Sequence, residues 1–302
     1  MIYTVTFNPA LDYAMHIDAL VQGETNRSSG EYIQFGGKGI NVSVVLSRLG
    51  VPTTAFGFIA GFTGEALEKA VKAEGVCADF VRLREGLTRI NVKLKGEKET
   101  EINANGPAID AAVLDALYEK LDLLGAGDTL VLAGSIPKSM PADIYARILC
   151  RLAGRDIRFV VDATGAVLKA TLPFAPFLIK PNQRELEELV GRALPDCQAV
   201  ANAAKELQAQ GAQNVLVSLG KEGAFLLDAN GETHTVAAHK GIPINTVGAG
   251  DSMVAGFLAG VDKGYAYALA LGNAAGGATA FLETLAQKEQ IAQLLGDEII
   301  CG

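Results

Sequence analysis

Short apolar runs at Thr129 to Ala133, Arg158 to Val161, Phe177 to Ile179 and Asn214 to Ser218 recur along the chain with helical patterns between them. Runs of this length without polar alternation read as strands buried on both faces, and the intervening helices supply the crossovers that parallel strands need. The expected class is therefore α/β, a mostly parallel sheet flanked by helices on both faces. In such sheets ligands collect at the carboxyl ends of the strands. Ile2 to Phe7 alternates as a further strand, and a helix begins at Gly36-Gly37-Lys38-Gly39. Ile40, Val44, Val45, Leu46 and Leu49 form the apolar face of that helix, and Gly50 is its stop. Ala224 to Leu227 and Glu232 to Val236 flank Asp228-Ala229-Asn230-Gly231, which reads as a hairpin near the sheet edge.

Two segments break the alternation. Residues 13–35 are mixed and extended. Within 88–105, Ile90, Val92 and Leu94 alternate with Arg89, Asn91, Lys93 and Lys95, the pattern of a one-faced strand that turns through Lys95-Gly96-Glu97. Nothing reads as a linker, a repeat or a low-complexity tract. The expected organisation is one α/β domain over residues 1–302 with a small sheet built from insertions at about 13–35 and 88–105. A small sheet with one face to bury should cover a site or pair with another subunit.

Bulk charge narrows the function classes. With 26 Lys plus Arg against 34 Asp plus Glu, the net charge of −8 disfavours nucleic acid and anionic membrane as partners. An anionic small substrate then requires a local basic cluster. Cys77, Cys150, Cys197 and Cys301 lie far apart with no CxxC pair, as expected of incidental thiols in a reducing compartment. No basic leader precedes a signal-like apolar region and no apolar run reaches spanning length, so a cytoplasmic location is expected.

The strongest chemical signal is Asn245-Thr246-Val247-Gly248-Ala249-Gly250-Asp251, directly before the helical pattern of Met253, Val254, Phe257 and Leu258. Small residues let the backbone approach an anion, and a first helical turn offers unpaired N–H groups at the positive end of the dipole. Asp251 alone is an ordinary helix cap. Beside an anion pocket, however, a carboxylate repels the phosphate it adjoins, which makes sense when it must take a proton from a nucleophile attacking that phosphate. Phosphoryl transfer is the chemistry implied.

Other motifs are less specific. The chain has neither GxxxxGK[ST] nor a GxGxxG after a strand. Gly37 and Lys38 belong either to a glycine-rich turn with a surface lysine or to an anion site at a helix N-terminus. Asp12, in the polar turn Asn8-Pro9-Ala10-Leu11-Asp12 after the first strand, is a site candidate. Lys180-Pro181-Asn182-Gln183-Arg184-Glu185 has normal helix-start composition, yet Asn182 and Glu185 also present oxygens in one direction, which suits a hydrated Mg²⁺. Ser218-Leu219-Gly220-Lys221-Glu222-Gly223 is either a simple turn or a seat for a nucleotide's phosphates or ribose. Arg27, Arg89 and Lys93 lie on the insertions and become phosphate ligands if the small sheet closes over the site. His16, His234 and His239 show no metal-ligand spacing.

In order and over nearly the whole chain, NPALD (8–12), GGKGINV (36–42), TRINVKL (88–94), GSIP (134–137), KPNQREL (180–186) and TVGAGDS (246–252) resemble the ribokinase-like sugar kinases, in the branch that contains phosphofructokinase B. Within that branch, TRINVKL with GGKGINV is most similar to members that act on fructose 1-phosphate. Members that act on tagatose 6-phosphate share GGKG and differ around Arg89 to Lys93. The resemblance implies a ribokinase-like fold with a small β-sheet lid, and ATP-dependent phosphorylation of fructose 1-phosphate at O6 with Mg²⁺ accompanying ATP. It makes Asp251 the general base and gives Gly248, Ala249 and Gly250 the transferring phosphoryl group. Asn182 and Glu185 would organise Mg²⁺ through water. Lys180, Asn182, Ser218, Leu219, Gly220, Lys221, Glu222, Gly223, Thr246 and Val247 would border ATP. Asp12 and Asn41 would hold sugar hydroxyls, Arg27, Gly37, Lys38, Arg89 and Lys93 the substrate's phosphate end, and Ser135 a further substrate contact. A lid that excludes water and pairs two subunits implies a homodimer. Transfer to O1 of tagatose 6-phosphate or fructose 6-phosphate stays open, as does a non-catalytic sugar-phosphate sensor.

Overall fold

A computed structural model of the chain describes residues 1–301, and the side chains of residues 1–296. Its strands are β1 (Ile2–Thr6), β2 (Ala10–His16), β3 (Gly30–Gly36), β4 (Thr53–Ala60), β5 (Cys77–Ala78), β6 (Val81–Leu83) and β7 (Arg89–Lys95). They continue as β8 (Thr100–Ile102), β9 (Thr129–Ala133), β10 (Arg158–Asp162), β11 (Leu178–Ile179), β12 (Asn214–Ser218), β13 (Ala224–Leu227) and β14 (Thr233–Val236).

The large sheet runs β14-β13-β12-β11-β10-β9-β1-β4-β5, with β6 also paired to β4. From β5 to β12 every neighbouring pair is parallel, and the hairpin β13–β14 closes the edge antiparallel. Burial on both faces is written into each strand by its period of two. Leu130 and Leu132 of β9 enter one core with Phe159 and Val161, whereas Val131, Ala133 and Val160 enter the other. The first core is closed by the helices Ile144–Leu152 and Cys197–Ala209 among others. Closing the second are the helices Lys38–Arg48, Ala249–Gly260 and Tyr265–Ala280. Each Leu or Phe buried this way contributes roughly 1.5–3 kcal/mol relative to exposure.

Strand order reverses at β1, which has β4 on one side and β9 on the other. Connections leave in opposite directions there, so a crevice opens at the carboxyl ends of the neighbouring strands. Among the described residues no helix is long and apolar enough to cross a membrane.

The helices Ala249–Gly260 and Tyr265–Ala280 touch through small residues. A Cβ on Gly256 would stand 2.5 Å from the Leu271 carbonyl oxygen and 2.9 Å from the Gly272 Cα, both backbone atoms that cannot swing aside. Gly256→Ala is therefore expected to separate the helices at a cost of about 1–3 kcal/mol. A thermal melt checks this, and an unchanged Tm would mean that the helices do not pack this closely.

The small sheet is β3-β2-β7-β8. It departs from the sequence reading at Asp12. Pairing of Ala10, Leu11 and Asp12 with Gly36, Phe35 and Gln34 starts β2 at Ala10, so Asp12 lies on a strand of the small sheet and not in a turn. The buried side of β7 is also its polar one: Asn91 and Lys93 are 6% and 7% exposed, against 38% for Ile90. Asn91 donates to Asp12 Oδ1 at 2.8 Å and accepts from the Ala104 N–H at 3.2 Å, so Asn91 is satisfied by β2 and by the chain that follows β8. The apolar face, including Ile33, Ile90 and Ile102, is left half-open.

Candidate active site

Gly248 caps the helix Ala249–Gly260 with φ 81°, a left-handed conformation that glycine adopts without steric cost. A Cβ at that position would meet Leu285 at 2.6 Å as well. The turn brings Asp251 into the first helical turn, where it is 5% exposed. Behind it, the Ser252 and Thr279 hydroxyls lie 2.8 Å apart, and Thr279 Oγ1 accepts the Ala286 N–H at 3.1 Å, tying the helix start to its neighbour. The Ala249 N–H reaches the Thr246 carbonyl at 3.3 Å.

Asn41, near the start of the helix Lys38–Arg48, donates from Nδ2 to Asp251 Oδ2 at 2.7 Å. One N–H of its amide thus orients the carboxylate. That helix lies tight against β1, since a Cβ on Gly37 would be 2.5 Å from Thr6 Cγ2 and one on Gly39 2.6 Å from Thr6 Oγ1. Burial pushes the Asp251 carboxyl up to about 6, helped by the charge of Asp162 and opposed by Lys38, the Asn41 hydrogen bond and Lys180.

Asp162, at the carboxyl end of β10, was absent from the sequence candidates. It is 1% exposed. Lys38 Nζ lies 3.1 Å and Lys180 Nζ 3.6 Å from its Oδ1. Burial alone would raise its pKa, but Lys180 and Lys38 outweigh that and hold it below the usual carboxylate range. Burial likewise opposes the charge on Lys38, and Asp162 with Asp251 overcomes it, so the Lys38 pKa is raised. A signal did exist in the sequence: Asp162 ends a buried run, as Lys180 follows one.

Lys180 sits over the glycine loop, because a Cβ on Gly250 would be 3.1 Å from its Nζ. Asn182 and Glu185 close a capping box: Asn182 Oδ1 accepts the Glu185 N–H and Glu185 Oε2 accepts the Asn182 N–H, each at 2.8 Å. The common helix-start reading therefore accounts for the only side-chain oxygen of Asn182 and one of the two of Glu185, with Asn182 at the cap and not inside the helix. Glu185 Oε1 is outside that box, and the Glu185 charge acts on Lys38, which places it beside the crevice. Asn182 pairs with Ser218 in a parallel bridge, bringing this segment against the turn that holds Gly220–Glu222. Lys221, Glu222, Thr246 and Val247 are exposed, and Gly223 is buried against β14.

On the small sheet, Lys93 Nζ lies 3.2 Å from Asp12 Oδ2 and 3.7 Å from Glu101, so it is turned inward and paired. Arg89 is held differently. Burial pulls its pKa down, the charge of Asp12 partly restores it, and its Nε has no hydrogen-bond partner. Asp12, Gly37, Asn41 and Val247 share the lining of a cavity of about 350 Å³ that extends along the first helix to Arg48 and Glu74. Gly134 backs onto the Lys38 side chain, since a Cβ there would be 3.6 Å from the Lys38 Cβ, and Ser135 is exposed beside it. Arg27 is exposed on the connection between β2 and β3.

A carboxylate poised near 6, the buried Lys180 and half-exposed Lys38 ammonium groups and a glycine loop at a helix N-terminus form the equipment for moving an anionic group onto a hydroxyl. Residues 5–287 match the pfkB family of carbohydrate kinases. The chain belongs to that family. It is 45% identical to the 1-phosphofructokinase of Bacillus subtilis over 98% of this chain and 97% of that one. It is 37% identical to the D-tagatose-1-phosphate kinase of Bacillus licheniformis over 97% of each chain. Phosphofructokinase-2 from Escherichia coli, solved with substrates and products, superposes with a TM-score of 0.92 at 30% identity and 98% coverage of both chains.

Proposed function

We propose that this kinase transfers the γ-phosphoryl group of ATP to O6 of fructose 1-phosphate, giving fructose 1,6-bisphosphate and ADP. The observation that carries the chemistry is Asp251, buried at a helix start, held by Asn41 and with its carboxyl pushed up to about 6. In the proposed step Asp251 takes the proton of the O6 hydroxyl as that oxygen bonds to the γ-phosphorus. The bond from phosphorus to the bridging oxygen breaks and ADP leaves. Developing charge on the phosphoryl oxygens meets the N–H groups of Gly248 and Gly250 and the Lys180 ammonium, with the Ala249 N–H joining them by giving up its 3.3 Å contact to the Thr246 carbonyl. Lys38, Arg89 and Arg27 are the cations proposed for the acceptor's own phosphate, with Lys93 holding Asp12 against a sugar hydroxyl. Ser135 and Gly37 complete that side, while Ser218 to Gly223, Thr246 and Val247 border ATP.

Mg²⁺ fits the donor set through Glu185, whose Oε1 lies outside the capping box, with Asn182 beside it. One carboxylate and few further oxygens suit an ion that keeps most of its waters. Bound there with ATP, Mg²⁺ supplies charge neutralisation on the phosphates.

The half-open apolar face of the small sheet, with Ile33 50%, Ile90 38% and Ile102 59% exposed, supports a lid that a second copy covers in a homodimer. Sedimentation as a monomer at assay concentration would remove that assembly.

The relative from Bacillus licheniformis favours a second reading, tagatose 1-phosphate. The two sugars differ only in configuration at C4, so both keep the 1-phosphate and the free O6. A coupled ADP-release assay separates them, with fructose 6-phosphate, tagatose 6-phosphate and unphosphorylated fructose in the same panel. The highest kcat/KM is expected on fructose 1-phosphate. Preference for a 6-phosphate would keep the chemistry and overturn the acceptor, and silence on all would favour the sensor.

The acid limb follows from the same carboxylate. A general base must be deprotonated, so kcat/KM is expected to fall below pH about 6, the value at which Asp251 is poised. The Asn41 hydrogen bond lowers that value, so Asn41→Leu is expected to move the limb to higher pH. A limb that stays in place would show that Asn41 does not hold the base.

A further inference from the structure

We infer that Asp162 is a positioning residue for the transfer: its single buried carboxylate holds Lys38, on the acceptor side, and Lys180, over the glycine loop, in one fixed arrangement beside Asp251. The inference rests on the kinase reading above and deepens it.

Geometry carries the argument. Asp162 Oδ1 takes both ammonium groups, at 3.1 Å from Lys38 and 3.6 Å from Lys180, while Oδ2 is buried without a hydrogen-bond partner. A carboxylate in so dry a place persists only where cations compensate it. Lys180 is 5% exposed and is held there by the same charge. Among the described residues neither lysine has another carboxylate within ion-pair distance. Asp162 is itself fixed at the end of β10, where its carbonyl accepts the Gly134 N–H at 3.1 Å and Gly134 in turn backs onto Lys38. Two phosphate-binding cations from different elements are thus anchored to one point of the sheet before either phosphate arrives. Without the carboxylate, two close ammonium groups repel each other and separate.

The groups that act electrostatically on Asp251 are Asp162 from β10, Lys38 from the first helix and Lys180 after β11, with the Asn41 amide as its hydrogen-bond donor. Asp162 opposes ionisation of Asp251, whereas the other three favour it. Opposite substitutions must therefore move the acid limb in opposite directions.

The test compares full-length wild type with Asp162→Asn, which keeps the shape and removes the charge, on the best acceptor of the panel. Expected is a fall in kcat of about 10–100-fold, the scale of misplaced reacting groups, with KM for ATP and acceptor not raised because a negative charge has left an anion site. The acid limb should move to lower pH, and that of Lys38→Met to higher pH. An unmoved limb, or a loss of kcat accompanied by raised KM for both substrates, would overturn the inference and leave Asp162 a structural residue. If the single variant yields little folded protein, Asp162→Asn/Lys180→Met is compared with Lys180→Met, where the same downward shift is expected and its absence overturns the inference equally. Wild-type silence on every acceptor sinks the kinase reading together with this one. A variant with the wild-type profile sinks this one alone.

Discussion

Asp251→Asn is expected to lower kcat by roughly 10²–10⁴-fold, the usual contribution of a general base, while ATP and the sugar phosphate still bind. The substitution preserves volume and an oxygen acceptor for the Asn41 amide, so the 2.7 Å contact that orients the side chain has a replacement. What disappears is the capacity to accept a proton from the attacking hydroxyl. It also removes a negative charge from a pocket that already holds Asp162, so anion binding should not weaken. Steady-state kinetics with calorimetric binding of the acceptor separates these effects. Turnover at the wild-type rate would remove Asp251 from the mechanism, and lost binding with unchanged kcat would make it a substrate ligand.

How much of this was legible beforehand depended on whether a residue's partner is local. Strands β9 to β13 were readable because period and burial are local properties, and the glycine loop because a helix start is too. Asn41 and Lys38 were recognised as site residues, but their partners were not, since Asp251 is 210 positions from Asn41 and Asp162 is 124 from Lys38. Only the sheet brings such pairs together. The covered face of β7 stayed open for a related reason: alternation reveals that two faces differ, and not which one is covered. Asn91 and Lys93 are buried because Asp12 and the Ala104 N–H satisfy them, a network assembled from three separate stretches of chain. At Asn182 and Glu185 the local rule sufficed, and the capping box formed as helix-start chemistry dictates.

Arg89 gives the sharpest expectation about the acceptor. Its guanidinium is half-buried, pulled down by burial and only partly compensated by Asp12, and Nε has no partner. A desolvated cation with an unused donor is poised for an anion, and a guanidinium presents two parallel donors to a phosphate. Replacing Arg89 with Met keeps the stem on β7 and removes the fork. One charged hydrogen bond contributes about 1.5–3 kcal/mol, so KM for the phosphorylated acceptor should rise by roughly 10–150-fold. Unphosphorylated fructose makes no use of that fork, and its kcat/KM should stay as in wild type. Arg89→Lys should recover only part of the loss, because an ammonium cannot reproduce the bidentate geometry. The comparison of acceptors is what decides the role. An equal loss on fructose and on its phosphate would show that Arg89 supports the small sheet, whereas a loss confined to the phosphate ties the basic side of that sheet to the substrate, and with it the reason an acidic protein of net charge −8 can hold a doubly charged sugar.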